Sequence, residues 1–336
     1  MSFRAGEIWL LWDDTAPFGM DAHVISLAHA LRVHGVYVRV VCLGSMTQHL
    51  RHLGRRQGMV LTSIPARAAA LLDAASVAKP RLMHTHGART GILARLVGLR
   101  LHVPVVSTLQ PERDANWRSA LYAIADRLTR RLSKGLIALR EPVDGPSPAR
   151  AQQMRPFVQL GERPARLPTV VAQIMTARSA RRPQPFHHLL AMVPPIDFVV
   201  YRIASRESLY SVDCPGVRLI DIRAGALVPW GEIGLLCLMA GDAPDYANAL
   251  QAMANGVPVV ACAAGALGQS VIDGENGWLV RPGNLATMAH RISTWDAMDD
   301  AERRALSDRA RRSIAERYSA QSALPDLLDA YTRAGA

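Results

Sequence analysis

Short apolar strand-like runs and helical patterns alternate along almost the whole chain, and this alternation restricts the fold more than any other feature. Ile8 to Trp12 is apolar and Val36 to Cys42 is rich in β-branched residues. Met59 to Ile64, Leu82 to His84, Val103 to Thr108 and Leu136 to Leu139 follow. Between the first two runs, Asp21 to Val33 places Val24, Leu27, Ala28 and Leu31 on one helix face. Strands that are apolar throughout, each followed by a helix, predict a parallel sheet covered on both faces. A second series begins at Thr169 to Ile174 and continues through Phe198 to Tyr201, Val217 to Ile222, Gly234 to Leu238 and Val257 to Cys262. Between them the composition changes: Pro142, Pro146, Pro148, Pro156, Pro164 and Pro168 mark loop and linker. The expectation is an α/β protein of two facing, Rossmann-like, doubly wound domains, residues 1–150 and 169–317, joined by a linker at 151–168. Such domains place a cleft at the carboxyl ends of their strands.

At 336 residues the chain has a two-domain length, and 49% hydrophobic residues suffice for packed cores. No stretch approaches the ~20 apolar residues of a membrane-spanning helix, and the first residues lack the order of a signal peptide. The cysteines Cys42, Cys214, Cys237 and Cys262 are scattered, three of them in apolar runs, which fits buried thiols in a reducing, cytoplasmic compartment. The formal charge of +11 suggests an acidic partner. All the basic residues are arginine except Lys79 and Lys134, a bias that also arises from codon composition. No helix-turn-helix, zinc knuckle or aromatic stacking platform accompanies the charge, so nucleic acid is not an expected partner.

Three segments carry chemistry. Trp12 to His23 is a loop between a strand and a helix, with Gly19 in it and Asp21 as a cap, an arrangement that suits an anion. Its Asp13 and Asp14 read either as a metal pair or as solvated acids. His84-Thr85-His86-Gly87 ends an apolar run, and histidines at i and i+2 of a strand point the same way. They read as two ligands of a metal lacking a third, as a hydrogen-bond partner for a substrate hydroxyl, or as satisfied core histidines. The third segment, Gly241 to Asn284, is the most informative. Asp242, Pro244 and Asp245 precede a short helix that Asn255-Gly256 closes as a left-handed cap. A buried strand and a small-residue loop, Ala263 to Gly268, follow, so two helix N-termini aim at one place where a diphosphate fits.

This third segment resembles the donor-binding region of the family-four retaining glycosyltransferases of the GT-B fold. The resemblance rests on Gln251-Ala252-Met253-Ala254, Gly256-Val257-Pro258-Val259-Val260, Gly265-Ala266-Leu267-Gly268-Gln269 and Asp273-Gly274-Glu275-Asn276-Gly277. Elsewhere Gly19-Met20-Asp21-Ala22-His23 is similar to the family's N-terminal glycine loop, and His84 to Gly87 to its His-Xaa-His-Gly. Residues 318–336, with Tyr318-Ser319, resemble the terminal helix that packs back on the first domain. The departures are specific. The family's two glutamates fall on Ala243 and Gln251, and its loop glutamate on Gln269. Arg178 matches the arginine that grips the donor diphosphate, but the partnering lysine lands near Gln184 and its glycine on Pro185. Arg181 and Arg182 lie close enough in sequence to substitute, and the histidine often found after the Thr108 strand is Gln110.

The resemblance implies hexosyl transfer from a nucleotide sugar, with retention and without a metal or other cofactor, to a glycan or lipid-linked acceptor. It places His86, Arg178 and Asp242 at the chemistry, and Gly19, Met20, Arg178, Arg181, Arg182, Ala243, Asp245, Tyr246, Gln251, Gly265 and Ala266 around the donor. Acceptor contacts are expected around Met46 to Ala68. The alternative is a catalytically degenerate homologue that serves a partner glycosyltransferase as a scaffold. Arg118 to Lys134 reads as an amphipathic helix whose stripe is Leu121, Ile124, Leu128 and Leu132. It is either a core-packed helix with a solvated basic face or a peripheral contact with an anionic membrane.

Overall fold

The computed structural model describes residues 6–13, 20–46, 51, 54–55, 58–109, 117–139, 151–154, 156, 158–161, 167–175, 184–204, 216–223, 228–240, 243–265 and 267–335. The chain divides into two compact units, residues 1–157 with 320–336 and residues 158–319.

In the first unit the strands are β1 (Ile8–Asp13), β2 (Val38–Leu43), β3 (Val60–Ile64), β4 (Leu82–His86), β5 (Val105–Leu109), β6 (Gly135–Leu139) and β7 (Ala151–Met154). They form one sheet in the order β3-β2-β1-β4-β5-β6-β7, every pairing parallel. Its helices include α1 (Met20–Val33), α2 (Ala68–Ala78), α3 (Ala88–Leu101) and α4 (Trp117–Thr129), with a 3-10 turn at Arg130–Leu132. Every residue of β1 is buried, as a central strand covered on both faces requires. Its alternation sorts the core: Ile8, Leu10 and Trp12 pack with Val24, Leu27 and Leu31 of α1, whereas Trp9 and Leu11 pack with residues of α2 and α3. Residues 151–154, placed in the linker by their surroundings, are the edge strand β7. The prolines that marked the linker flank this proline-free run on both sides, and it pairs with β6.

The second unit holds β8 (Val171–Met175), β9 (Phe198–Ala204), β10 (Val217–Arg223), β11 (Leu235–Leu238), β12 (Val259–Cys262) and β13 (Gly277–Val280). This sheet is also wholly parallel, in the order β10-β9-β8-β11-β12-β13. Its helices are α5 (Gln184–Leu190), α6 (Ala243–Ala254), α7 (Leu267–Ser270), α8 (Leu285–Ala297) and α9 (Asp300–Tyr318). Phe186 and Leu189 of α5 and Met288, Ile292 and Trp295 of α8 cover one face. The last helix, α10 (Ala320–Arg333), returns to the first unit, where Ala323, Leu324, Leu327 and Tyr331 join the α1 side of the core. No described helix is long and apolar enough to cross a membrane.

Candidate functional site

In a parallel sheet the strand order reverses at one point, and ligands bind beyond the carboxyl ends of the strands that flank it. In the first sheet these strands are β1 and β4, ending in Asp13 and His86. Asp13 is buried and accepts a hydrogen bond from Thr90 Oγ1 at 2.9 Å. The reading of Asp13 as a solvated acid is thereby corrected: it is the buried last residue of a strand, tied to α3. Asp14 lies outside the described residues. Gly87 follows His86 with φ of +104°, a left-handed conformation that glycine adopts freely, and opens α3.

The two histidines of β4 have different fates. His84 is fully engaged, with Nδ1 2.7 Å from the hydroxyl of Tyr331 on α10 and Nε2 2.7 Å from Thr108 Oγ1 on β5. It is a structural tie, and with both nitrogens in use it is no metal ligand. Among the described residues no group of three His, Cys, Asp or Glu is placed to hold a metal. His86 is 1% exposed, yet neither ring nitrogen has a hydrogen-bond partner. Its ring centroid lies 4.4 Å from that of His84 and 5.4 Å from that of His23. Burial lowers His23 to about 4. Burial, helped by His23, lowers His84 to about 3. Burial, with repulsion from His84 and His23, holds His86 well below the usual histidine range. All three are therefore neutral at pH 7. A neutral imidazole both donates and accepts one hydrogen bond, which suits a hydroxyl group.

In the second sheet the reversal falls between β8 and β11. A cavity of about 250 Å³ opens there, past the carboxyl ends of β8, β11 and β12 and beside the N-terminus of α8. Its wall is mostly apolar, with Met175, Phe186, Met239 and Met288, and Arg281 also borders it. Gln173 on β8 lines it too, 4% exposed, and its side-chain oxygen has no hydrogen-bond partner. Sequence reasoning missed Gln173, although one polar residue inside a buried apolar strand was the available signal.

The residues expected around the donor fare unevenly. Arg178, Arg181, Arg182, Asp242, Gly19, Ala266 and also Gln110 lie outside the described residues. Met20 opens α1 and Ala243 opens α6. Asp245 is buried, and its carboxylate accepts from the backbone N–H of Ala240 at 2.9 Å, closing the β11–α6 turn. Tyr246 is 2% exposed and belongs to the interior. Both lie in the first turn of α6, with their side chains turned inward. Gln251 is partly exposed, one turn beyond the exposed Ala247, so the outward face of α6 runs through it. Gly265, exposed with φ of +56°, sits in the turn after β12.

The Asp273-to-Gly277 motif is structural. Asn276, 1% exposed, accepts from Ile272 N and donates to Ser270 O and Ser313 Oγ, joining α7, the turn before β13 and α9. A Cβ at Gly277 would lie 2.6 Å from the carbonyl oxygen of Val259, so only glycine lets β13 approach β12.

With this geometry in view, comparison with known proteins gives three findings. A family model described as "Glycosyl transferases group 1" matches residues 247–295, from α6 into α8. No curated protein matches the chain. Solved structures of GT-B glycosyltransferases match nearly its whole length. Anabaena Alr3699/HepE in complex with UDP and glucose superposes with a TM-score of 0.75 at 14% identity, covering 98% of this chain and 100% of that one. A mutant of S. aureus TarM, in complex with Fondaparinux, alpha-GlcNAc-glycerol and UDP, gives 0.71 at 12% identity over 97% and 100%. Sucrose-phosphate synthase from Thermosynechococcus elongatus gives 0.69 at 15% over 98% and 99%. The chain therefore has the GT-B glycosyltransferase fold, and its α6–α8 segment matches group 1 glycosyl transferases in sequence.

Proposed function

We propose that this chain is a retaining glycosyltransferase of hexosyl type, acting without a metal. It moves a sugar from a nucleotide-sugar donor to a glycan or lipid-linked acceptor in the synthesis of surface polysaccharide or glycoconjugate. It works in the cytoplasm, peripherally on an anionic membrane face. One coincidence in the second unit supports this reading best. The segment that matches group 1 glycosyl transferases borders the strand-order reversal, where a cavity carries the unpartnered amide oxygen of Gln173. Two of the structures with the same fold hold UDP with a sugar or glycoside.

The residues divide the chemistry as follows. Cleaving the donor leaves an oxocarbenium-like centre and a departing diphosphate, whose charge needs fixed donors. Arg178 takes it up with Arg181 and Arg182, because a guanidinium grips phosphate through two N–H groups. The N-terminus of α6 and the glycine turn at Gly265 and Ala266 add backbone donors. Gln251 bonds a ribose hydroxyl, and Asp242 faces the sugar in place of the glutamate replaced by Ala243. In the first unit, Gly19 and Met20 contact the donor and His86 bonds a sugar hydroxyl.

Titration with a panel of UDP-, GDP- and ADP-sugars is expected to give saturable heat with one of them. Arg178→Ala should weaken that binding about 10- to 100-fold, the worth of one charge-assisted hydrogen bond. No heat at millimolar concentration with any nucleotide rules the donor reading out. His86→Ala should lower kcat/KM about tenfold while nucleotide affinity holds, and an unchanged kcat/KM removes it from the chemistry.

A second reading, a degenerate subunit that serves a partner glycosyltransferase, is favoured by Ala243, Gln251 and Gln269 where the resembling family has glutamates. Nucleotide binding without turnover, plus stimulation of a partner's activity, identifies it.

A further inference from the structure

Helix α4 faces the opposite way from a core helix. Its buried side carries Ala123 and the acidic Asp126, the latter meeting the buried guanidinium of Arg95 on α3. On the other side Leu121, Ile124 and Leu128 recur at i, i+3 and i+7, and they are 57%, 56% and 62% exposed. Tyr122 is exposed as well, as are Leu96 and Leu99 on α3, which packs beside α4. Apolar residues at this spacing make a buried stripe in a soluble helix, and when exposed together they mark a partner or a lipid surface. The charge around the stripe selects between these. Between Trp117 and Lys134 the only acidic residue is Asp126, which is buried. Arg127, Arg131 and Lys134 are exposed, so the outward charge of the segment is entirely positive. A symmetric pairing of two copies through this face would set these cations against their own equivalents. An anionic lipid surface answers both features, taking the apolar side chains below its headgroups and the cations among them.

We infer that the outward face of α4, built on Leu121, Ile124 and Leu128 with the exposed Arg127 on the same helix and the exposed Arg131 and Lys134 just past its end, docks this protein on an anionic lipid surface. The inference rests on the membrane association proposed above and names the face responsible. The test is co-sedimentation of the full chain with vesicles of phosphatidylcholine, with and without phosphatidylglycerol, at low salt. Wild type should sediment with the anionic vesicles and not with the neutral ones. The triple variant Leu121→Ser, Ile124→Ser, Leu128→Ser should partition at least about 100-fold more weakly, each apolar side chain contributing roughly tenfold. Its thermal unfolding should be unchanged, because these side chains are already in water. Arg127→Glu, Arg131→Glu and Lys134→Glu together should abolish the preference for anionic lipid and serve if the serine variant fails to fold. Wild type that binds while both variants bind equally well overturns the α4 assignment and leaves the membrane reading standing. Wild type that binds no vesicle overturns both. A dimer in sedimentation velocity that the serine variant dissociates, without vesicle binding, assigns the face to a second copy instead.

Discussion

Asp126→Ala should destabilise the first unit by about 3–5 kcal/mol, because it leaves the Arg95 guanidinium buried beside no opposite charge. Arg95 is 1% exposed, and its N–H groups reach Asp126 Oδ1 at 2.7 Å, Ser133 Oγ at 2.9 Å and Thr129 Oγ1 at 3.0 Å. Asp126 is shared with Arg130, whose N–H groups meet its other oxygen at 2.6 and 2.8 Å. Burial pulls the Arg95 pKa down, and Asp126 opposes that pull. Removing the carboxylate therefore costs much more than one hydrogen bond. For a unit of this size the loss lowers Tm by roughly 6–20 °C. Replacing both partners by apolar residues, Arg95→Met with Asp126→Leu, should restore much of the stability, since the pair's desolvation penalty disappears with it. Thermal unfolding of the two variants checks this, and a single variant that loses under about 1 kcal/mol contradicts it.

The second large effect is acid sensitivity. The side chains of His84 and His86 are fully buried and that of His23 is partly buried, with folded pKa values of about 3, well below the usual range, and about 4 respectively. An unfolded histidine titrates near 6.5. Below that pH the unfolded chain binds protons that the folded one refuses, so stability falls as pH falls. The contribution is fully present above about pH 6.5 and is lost on the way down towards the folded values. Each histidine costs about 2 kcal/mol by pH 5, so the three together cost about 6 kcal/mol, comparable with the whole stability of a typical domain. Far-ultraviolet circular dichroism should show the chain unfolding between about pH 6 and pH 4.5. His86→Gln should flatten the dependence by about a third, and a stability that stays level from pH 7 to pH 5 would contradict the burial of these rings.

The fold was legible where periodicity reports burial directly. Ile8 to Trp12, apolar at every position, belongs to a central parallel strand, and the Asn255-Gly256 cap ends α6 with Gly256 at φ of +77°. The site was legible only in part, because sequence spacing names neighbours along one strand and not across the molecule. The spacing of His84 and His86 puts both rings on one face of β4, but the bond from His84 to Tyr331 joins residues 247 positions apart. That bond makes one histidine a tie and leaves its neighbour unpartnered. In α4 the period showed a stripe without showing which way it turns. Its orientation follows from Arg95, whose charge draws Asp126 inward and leaves the leucines outside. The Asp273-to-Gly277 turn carries the family resemblance, yet its work lies in backbone approach and Asn276 bonding, which a motif does not distinguish from ligand contact.

The return of α10 to the first unit makes that unit discontinuous in the chain, with residues 158–319 inserted before its last helix. The insert is continuous and complete by itself, whereas the first core lacks Leu324, Leu327 and Tyr331 until the chain has grown past them. On the ribosome the residues of the second unit are therefore all present before those of the first. The later unit can close first, while the earlier sheet waits with His84 unbonded to its hydroxyl and one apolar face open.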